Sequence, residues 1–245
     1  MLVTIIDLET TGLDPQKDEL IEVGAILYSV EHQIVLQQFS SLYPVKENPQ
    51  ELINRIPVTA SNKAFSSRAI CYSDQKIPLR IEYLFFSEMV RRGEFLIAHN
   101  AKFDKSWLEE FFEVEGYTKP WLCTYEDFIW PRNHQKTNLI NTCLNHGIAV
   151  TKAHRALSDC QLIAELFDRA DNLQGLFDVA IARSKEPLLT VLAGVDYDTR
   201  QLAQDAKFYW SFCDSAGKKV WQKQLKQSDL IKESVNWGFG YEILH

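Results

Sequence analysis

Three short blocks of this 245-residue chain carry residue types that do chemistry. Asp7 and Glu9 stand two apart at the end of the apolar run Leu2 to Ile6, so the strand period of two turns both carboxylates to one face. His99-Asn100-Ala101-Lys102-Phe103-Asp104 follows a second apolar run and sets Asp104 in the first turn of a helix, where the helix dipole favours a carboxylate. His154-Arg155-Ala156-Leu157-Ser158-Asp159 puts an imidazole just ahead of another helix and an acid inside its first turns. Each block alone has an ordinary reading as a solvated strand end, a helix cap or plain surface. In chain order they read D-x-E, D, H-x4-D, and together they supply what phosphodiester hydrolysis asks for. Carboxylate oxygens hold two hard cations about 3.5–4 Å apart. A neutral histidine accepts the proton of the attacking water.

The elements that must position these groups are legible from periodicity. Leu2 to Ile6, Leu20 to Val30 and Gln33 to Leu42 read as three sequential strands, antiparallel to one another. Thr59 to Pro78 is polar, has neither helical nor strand period, and reads as a long loop. Apolar residues recur at helical spacing over Leu79 to Val90, followed by a short strand at Phe95 to Ala98 and a helix from Lys102 to Val114. A short strand at Leu122 to Thr124 precedes helices at Leu139 to His146 and Arg155 to Ala170. The second of these carries Leu157, Cys160, Ile163, Ala164 and Phe167 on one stripe. Mixed α/β is the fold class this order predicts.

Length, 46% hydrophobic and 24% charged residues suit one substantial globular domain with a small appendage. No apolar stretch approaches the roughly 18–20 residues of a membrane helix, and Met1 is expected to lead directly into structure. The five cysteines (Cys71, Cys123, Cys143, Cys160, Cys213) are odd in number and never spaced C-x-x-C. That argues against a disulfide framework and a structural zinc site, and fits a reducing cytoplasm. A net charge of −7 excludes a binder whose whole surface is basic, so a polyanion must be held locally, by a patch or by metal ions. The salt dependence of binding is expected to be shallow.

In order and spacing, the blocks Ile6-Asp7-Leu8-Glu9-Thr10-Thr11-Gly12-Leu13, Ala98 to Asp104 and His154 to Asp159 resemble the three motifs of the DEDDh (DnaQ-like) 3′-5′ exonucleases. That family includes the proofreading subunit of bacterial DNA polymerase III and exonuclease X. The resemblance covers about residues 1 to 170. It implies a ribonuclease-H-like α/β fold, with a mixed sheet and flanking helices, over residues 1–183. It implies that Asp7, Glu9 and Asp159 hold one divalent cation, Mg²⁺ or Mn²⁺, that Asp7 and Asp104 serve a second, and that His154 is the general base. Thr10, Thr11, Leu13 as a wedge, Asn100 and Phe103 are implied to take the 3′-terminal nucleotide. The implied substrate is the 3′ end of single-stranded DNA, with an RNA-directed exonuclease or oligoribonuclease as the alternative. A nucleic-acid-binding or polymerase-accessory protein with little turnover is the reading from another class. One segment departs from the family pattern: where many relatives carry Ile-His-x-Ile, this chain has Ile53-Asn54-Arg55-Ile56.

Residues 184–245 form a separate aromatic-rich α+β module. Residues 185–245 carry eight basic and eight acidic side chains, so the whole net charge sits on the first 184 residues. A helix at Thr199 to Ala206 and a hairpin of Phe208 to Phe212 and Val220 to Leu225, turning at Asp214 to Gly217, are expected there. Trp210, Trp221 and Trp237, near Lys218, Lys219, Lys223 and Lys226, read as the small core such a module needs, with a base-stacking platform as the alternative. Gln161 to Phe167 loosely resembles a sliding-clamp-binding peptide, but its apolar residues fall on the core-facing stripe. His134 and His146 read as surface or loop residues, and Cys160 as a small buried one. Asp7→Ala or Asp159→Ala is expected to abolish cleavage while leaving the fold intact or stabilised, checked by assaying cleavage beside a thermal melt. Retained cleavage removes these residues from the site.

Overall fold

The computed structural model describes residues 1–60, 62, 80–111, 118–133, 136–213 and 217–244, which divide into two compact units, Met1–Ser184 and Lys185–His245. The first is built on a five-stranded mixed sheet of order β3-β2-β1-β4-β5. Its strands are β1 (Leu2–Thr10), β2 (Leu20–Ser29), β3 (Ile34–Leu42), β4 (Phe95–Ala98) and β5 (Trp121–Cys123). β1, β2 and β3 run antiparallel in sequence, and β4 and β5 lie parallel to β1. A parallel pair needs a crossover, and helix α3 (Ala101–Phe111) supplies it between β4 and β5.

Side-chain parity sorts the sheet into two apolar faces. Ile6, Leu8, Ala25, Leu27 and Leu96 pack under Phe86, Met89 and Val90 of α2 (Arg80–Arg92) and under Trp107 and Leu108 of α3. On the opposite face Val3, Ile5, Ile26, Tyr28, Ile97 and Leu122 meet Cys160, Ile163, Ala164 and Phe167 of α5 (Ala156–Asp168) and Phe177 of α6 (Leu173–Ser184). All ten residues of β2 are buried, as a strand covered on both faces must be. Two short helices complete the unit, α1 (Glu51–Asn54) and α4 (Leu139–Asn145).

Strands, α2, α3, α4 and α5 fall within a few residues of the sequence-based expectation. Of the loop expected over residues 59–78, residues 59, 60 and 62 are helical instead, and the others lie outside the described residues. α6 was not expected, because exposed Val179 and half-buried Leu176 blur the stripe of Leu173, Phe177 and Ala180 that it buries. Asn54, in the segment Ile53-Asn54-Arg55-Ile56, is fully buried. Its side-chain oxygen accepts from the Ile56 N–H at 3.0 Å and from Asn48 Nδ2 at 3.0 Å, so it shapes the backbone after α1.

The second unit is an antiparallel sheet of order β7-β8-β6-β9, from β6 (Leu188–Gly194), β7 (Tyr209–Cys213), β8 (Lys218–Lys226) and β9 (Gly240–Leu244). Two helices accompany it, α7 (Arg200–Asp205) and α8 (Gln227–Ser234). α7 and the β7–β8 hairpin match expectation, and positions 214–216 of the expected turn lie outside the described residues. β6, α8 and β9 went unread. Trp237 joins Val191, Ala203, Phe208, Leu225 and Leu230 in a small core, whereas Trp210 and Phe212 stay exposed. Lys223 donates to the Glu233 carboxylate and to the Ala206 carbonyl, and Lys226 is buried, so neither is a solvated cation beside the aromatics.

One close approach fixes how α5 meets the sheet. A Cβ at Gly24 of β2 would lie 2.3 Å from the Ala156 carbonyl carbon and 2.3 Å from the Leu157 nitrogen, both backbone atoms. Only glycine lets the start of α5 sit this close. Gly24→Ala should destabilise the protein by about 1–3 kcal/mol, the usual cost of overpacking. Urea unfolding measures this, and an unchanged midpoint would mean that α5 shifts freely on β2.

Candidate active site

The site begins where apolar packing between β1 and α5 ends. Val3 and Ile5 are covered by α5; the next residues on that face are Asp7 and Glu9, each partly exposed. Register places Asp7 opposite Gly24 and Glu9 opposite Glu22 on β2. α5 enters from above. His154 holds φ +60°, an uncommon conformation for a non-glycine residue, and Arg155 is extended as the N-cap. Asp159 lies in the first turn, and Cys160 beside it is fully buried with its Sγ 3.8 Å from the Ile5 carbonyl. The His154 N–H donates to the Asp159 carboxylate. Candidate ligand atoms of Glu9, His154 and Asp159 all lie within 4.8 Å of one another.

Asp104 reaches the same end of the sheet from α3, because β4 runs parallel to β1 and α3 starts just after β4 ends. It is buried, and the Leu8 N–H donates to its carboxylate, so it joins the site to β1 rather than capping its helix alone. Asn100 is exposed and has φ +68°, and its carbonyl accepts from the Phe103 N–H at 2.9 Å. Phe103 packs on Trp107 with ring centroids 6.0 Å apart. His99 turns away from the carboxylates: its Nδ1 pairs with Thr124 Oγ at 2.9 Å, and burial pushes its pKa down to about 4.

Beyond β1 the chain makes a closed loop. Thr10 is buried and its hydroxyl donates to the Gly12 carbonyl at 2.5 Å, while the Thr11 hydroxyl oxygen accepts from the Glu19 N–H at 2.8 Å. Thr11 therefore keeps its own hydroxyl proton to donate, whereas that of Thr10 is committed to the loop. Leu13 projects from this loop with 83% of its surface exposed.

The Exonuclease family model matches residues 4–61. The DNA polymerase III subunit epsilon of Treponema pallidum is 28% identical over 173 residues, 67% of this chain and 74% of that protein. The subunit epsilon of Aquifex aeolicus DNA polymerase III is similar to this chain to the same degree, 28% identical over 166 residues, 66% of this chain and 77% of that protein. The PolC-type DNA polymerase III of Thermotoga petrophila is 27% identical over 172 residues, 67% of this chain, and the match spans about a tenth (11%) of that much longer protein. E. coli exonuclease I, solved with a dT13 oligonucleotide, superposes with a TM-score of 0.55 at 14% identity, covering 96% of this chain and 68% of exonuclease I. That likeness establishes a shared ribonuclease-H-like fold.

In this unit the four acids Asp7, Glu9, Asp104 and Asp159 crowd one another with little counter-charge. Burial, then Asp104, Asp159, Glu9 and Glu22, push Asp7 well above the ordinary carboxylate range. Burial and the negative charges of Asp159 and Glu22 push Glu9 up to about 8. Burial takes Asp104 to about 8 and Asp159 to about 6. Oδ1 of Asp104 and Oδ1 of Asp159 are buried without a hydrogen-bond partner. Crowded acids with unpaired oxygens, beside an imidazole, are a donor set that fits hard divalent cations.

Sequence reasoning overlooked Glu22 and Gly24, although a glutamate inside the fully buried run of β2 was a signal, since such a charge must find a partner. That partner is Arg155 of the third block. His146 is not a surface residue. It is buried at the end of α4, edge-on to Trp130, with Nδ1 2.8 Å from the Thr142 carbonyl, because α4 turns inward there. His134 lies outside the described residues. Leu162, Ile163, Leu166 and Phe167 are buried, so the clamp-like segment is core.

These shifts set a pH dependence. Unfolded carboxylates titrate near 4, so with Glu9 and Asp104 near 8 the native state binds more protons than the unfolded state across that interval, and stability falls as pH rises. His99 works oppositely, but only between about 4 and 6.5. From pH 6.5 to 8 the metal-free protein should lose on the order of 1–3 kcal/mol. Denaturation in EDTA across that range should show the fall, and Glu9→Gln should flatten it; a rising curve would contradict the crowding.

Proposed function

We propose that the chain is a metal-dependent 3′-5′ exonuclease that removes nucleoside 5′-monophosphates one at a time from the 3′ end of a nucleic acid, with single-stranded DNA preferred. The observation that carries this reading is the convergence of Glu9, His154 and Asp159 beside Asp7 and Asp104, with the unpaired buried oxygens of Asp104 and Asp159 calling for cations. The kinship with polymerase III epsilon subunits supports it.

Asp7, Glu9 and Asp159 would hold one divalent cation, and Asp7 with Asp104 a second, with Mg²⁺ or Mn²⁺ suiting the oxygen donors. Such ions acidify a water and stabilise the leaving oxygen. His154, through a ring nitrogen, takes the proton of the attacking water, and its left-handed backbone aims the ring at Glu9 and Asp159. The exposed Leu13 wedges against the terminal base, Thr11 donates to the 3′-terminal sugar, and Thr10 offers its backbone. Asn100 and Phe103 close the pocket from the start of α3. Held cations also let an acidic unit bind a polyanion without a basic patch.

The test is product analysis of matched 5′-labelled single-stranded DNA and RNA, each with Mg²⁺, Mn²⁺ or EDTA. A ladder that shortens from the 3′ end, faster on DNA, and that disappears in EDTA and in His154→Ala, is the expected result. A faster RNA ladder transfers the assignment to an RNA-directed exonuclease, and no cleavage of either strand overturns it.

A further inference from the structure

Glu22 lies in the middle of the sheet, 1% exposed, directly across from Glu9. Two like charges in that pairing repel. Glu22 is satisfied from the other side: Arg155 donates Nε and Nη2 to its two oxygens, each at 2.9 Å, and the Ala156 N–H donates at 3.1 Å. Ser40 Oγ of β3 donates at 3.2 Å. One carboxylate thus holds the N-cap side chain and the first backbone N–H of α5 at once, beside the contact that Gly24 makes possible.

The two residues flanking this anchor are the ones whose placement matters. His154 precedes Arg155 directly, in a strained backbone conformation that persists only where its surroundings over-determine it. Asp159 lies one turn further on, its N–H donating to the Arg155 carbonyl at 2.9 Å. We propose that Glu22 and Arg155 form a positioning pair that locks the first turn of α5 onto β2 and thereby fixes the His154 imidazole and the Asp159 carboxylate against Glu9. The bidentate geometry is what a guanidinium provides and an ammonium does not. Glu22 is sealed from solvent and acts through Arg155 and the α5 backbone. The consequence for the reaction rests on the function proposed above; the consequence for the first turn of α5 does not.

Glu22→Gln, Arg155→Met and the double variant in the full chain test the pair. Mn²⁺ titration without substrate should show affinity falling about 10–100-fold in each single variant, as for other residues that orient metal ligands. kcat should fall alongside with KM little changed, and the double variant should be no worse than the singles, since the two residues act as one unit. Hydrogen exchange of the Ala156 and Asp159 amides in metal-free protein should quicken about tenfold in both single variants while the β1 and β2 amides keep their protection. Folded variants with wild-type Mn²⁺ affinity and unchanged exchange at these amides would overturn the proposal, as would additive losses in the double variant. Wild-type protein that neither binds Mn²⁺ nor cleaves would overturn the functional reading instead, and the exchange measurement would still decide the pair.

Discussion

The docking of the first turn of α5 onto the middle of β2 is the contact on which the rest of the first unit depends. It joins the last strongly apolar layer of the core, Ile5, Ile26 and Cys160, to the first polar layer, Asp7, Glu9 and Glu22, with no loop between them. Gly24 sets the distance and Glu22 the orientation. The acids therefore stand on rigid elements whose positions are dictated by packing, which is the arrangement that holds a catalytic geometry most closely.

The same contact explains why so much negative charge is tolerated. Asp7, Glu9, Asp104 and Asp159 are each raised above the usual carboxylate range, which is a standing cost to the folded state. Arg155 relieves part of it by holding Glu22 and by its positive charge, which favours the ionised form of Glu9. What remains includes two buried oxygens without a hydrogen-bond partner, Oδ1 of Asp104 and Oδ1 of Asp159.

Much of this was legible in the chain itself. Strands with β-branched runs and helices with clean apolar stripes, such as β4 and α5, were found within a residue or two because local pattern and tertiary packing agree there. The three blocks singled out by residue type and spacing come together because each lies at a strand end or helix start that the local pattern predicts. Glu22 was missed because its partner is 133 positions away, and only strand register brings the two together. α6 and His146 were misread for a related reason: which side of a weak stripe faces inward is decided by the aromatic cluster of Phe128, Trp130, Phe167 and Phe177, contributed by separate segments. In the second unit β6 and β9 are short, largely unburied strands, held by pairing with each other and, for β6, with β8.

β1 is a single strand that serves as core at one end and carries the crowded acids Asp7 and Glu9 at the other. Its period of two ties these roles together: a slip of one residue would carry Val3 and Ile5 to the α2–α3 face and take Asp7 and Glu9 with them. Insertions or deletions between Leu2 and Glu9 therefore damage the hydrophobic core and the acidic centre in one stroke. A change of length that misplaces the acids is therefore also one that costs the fold.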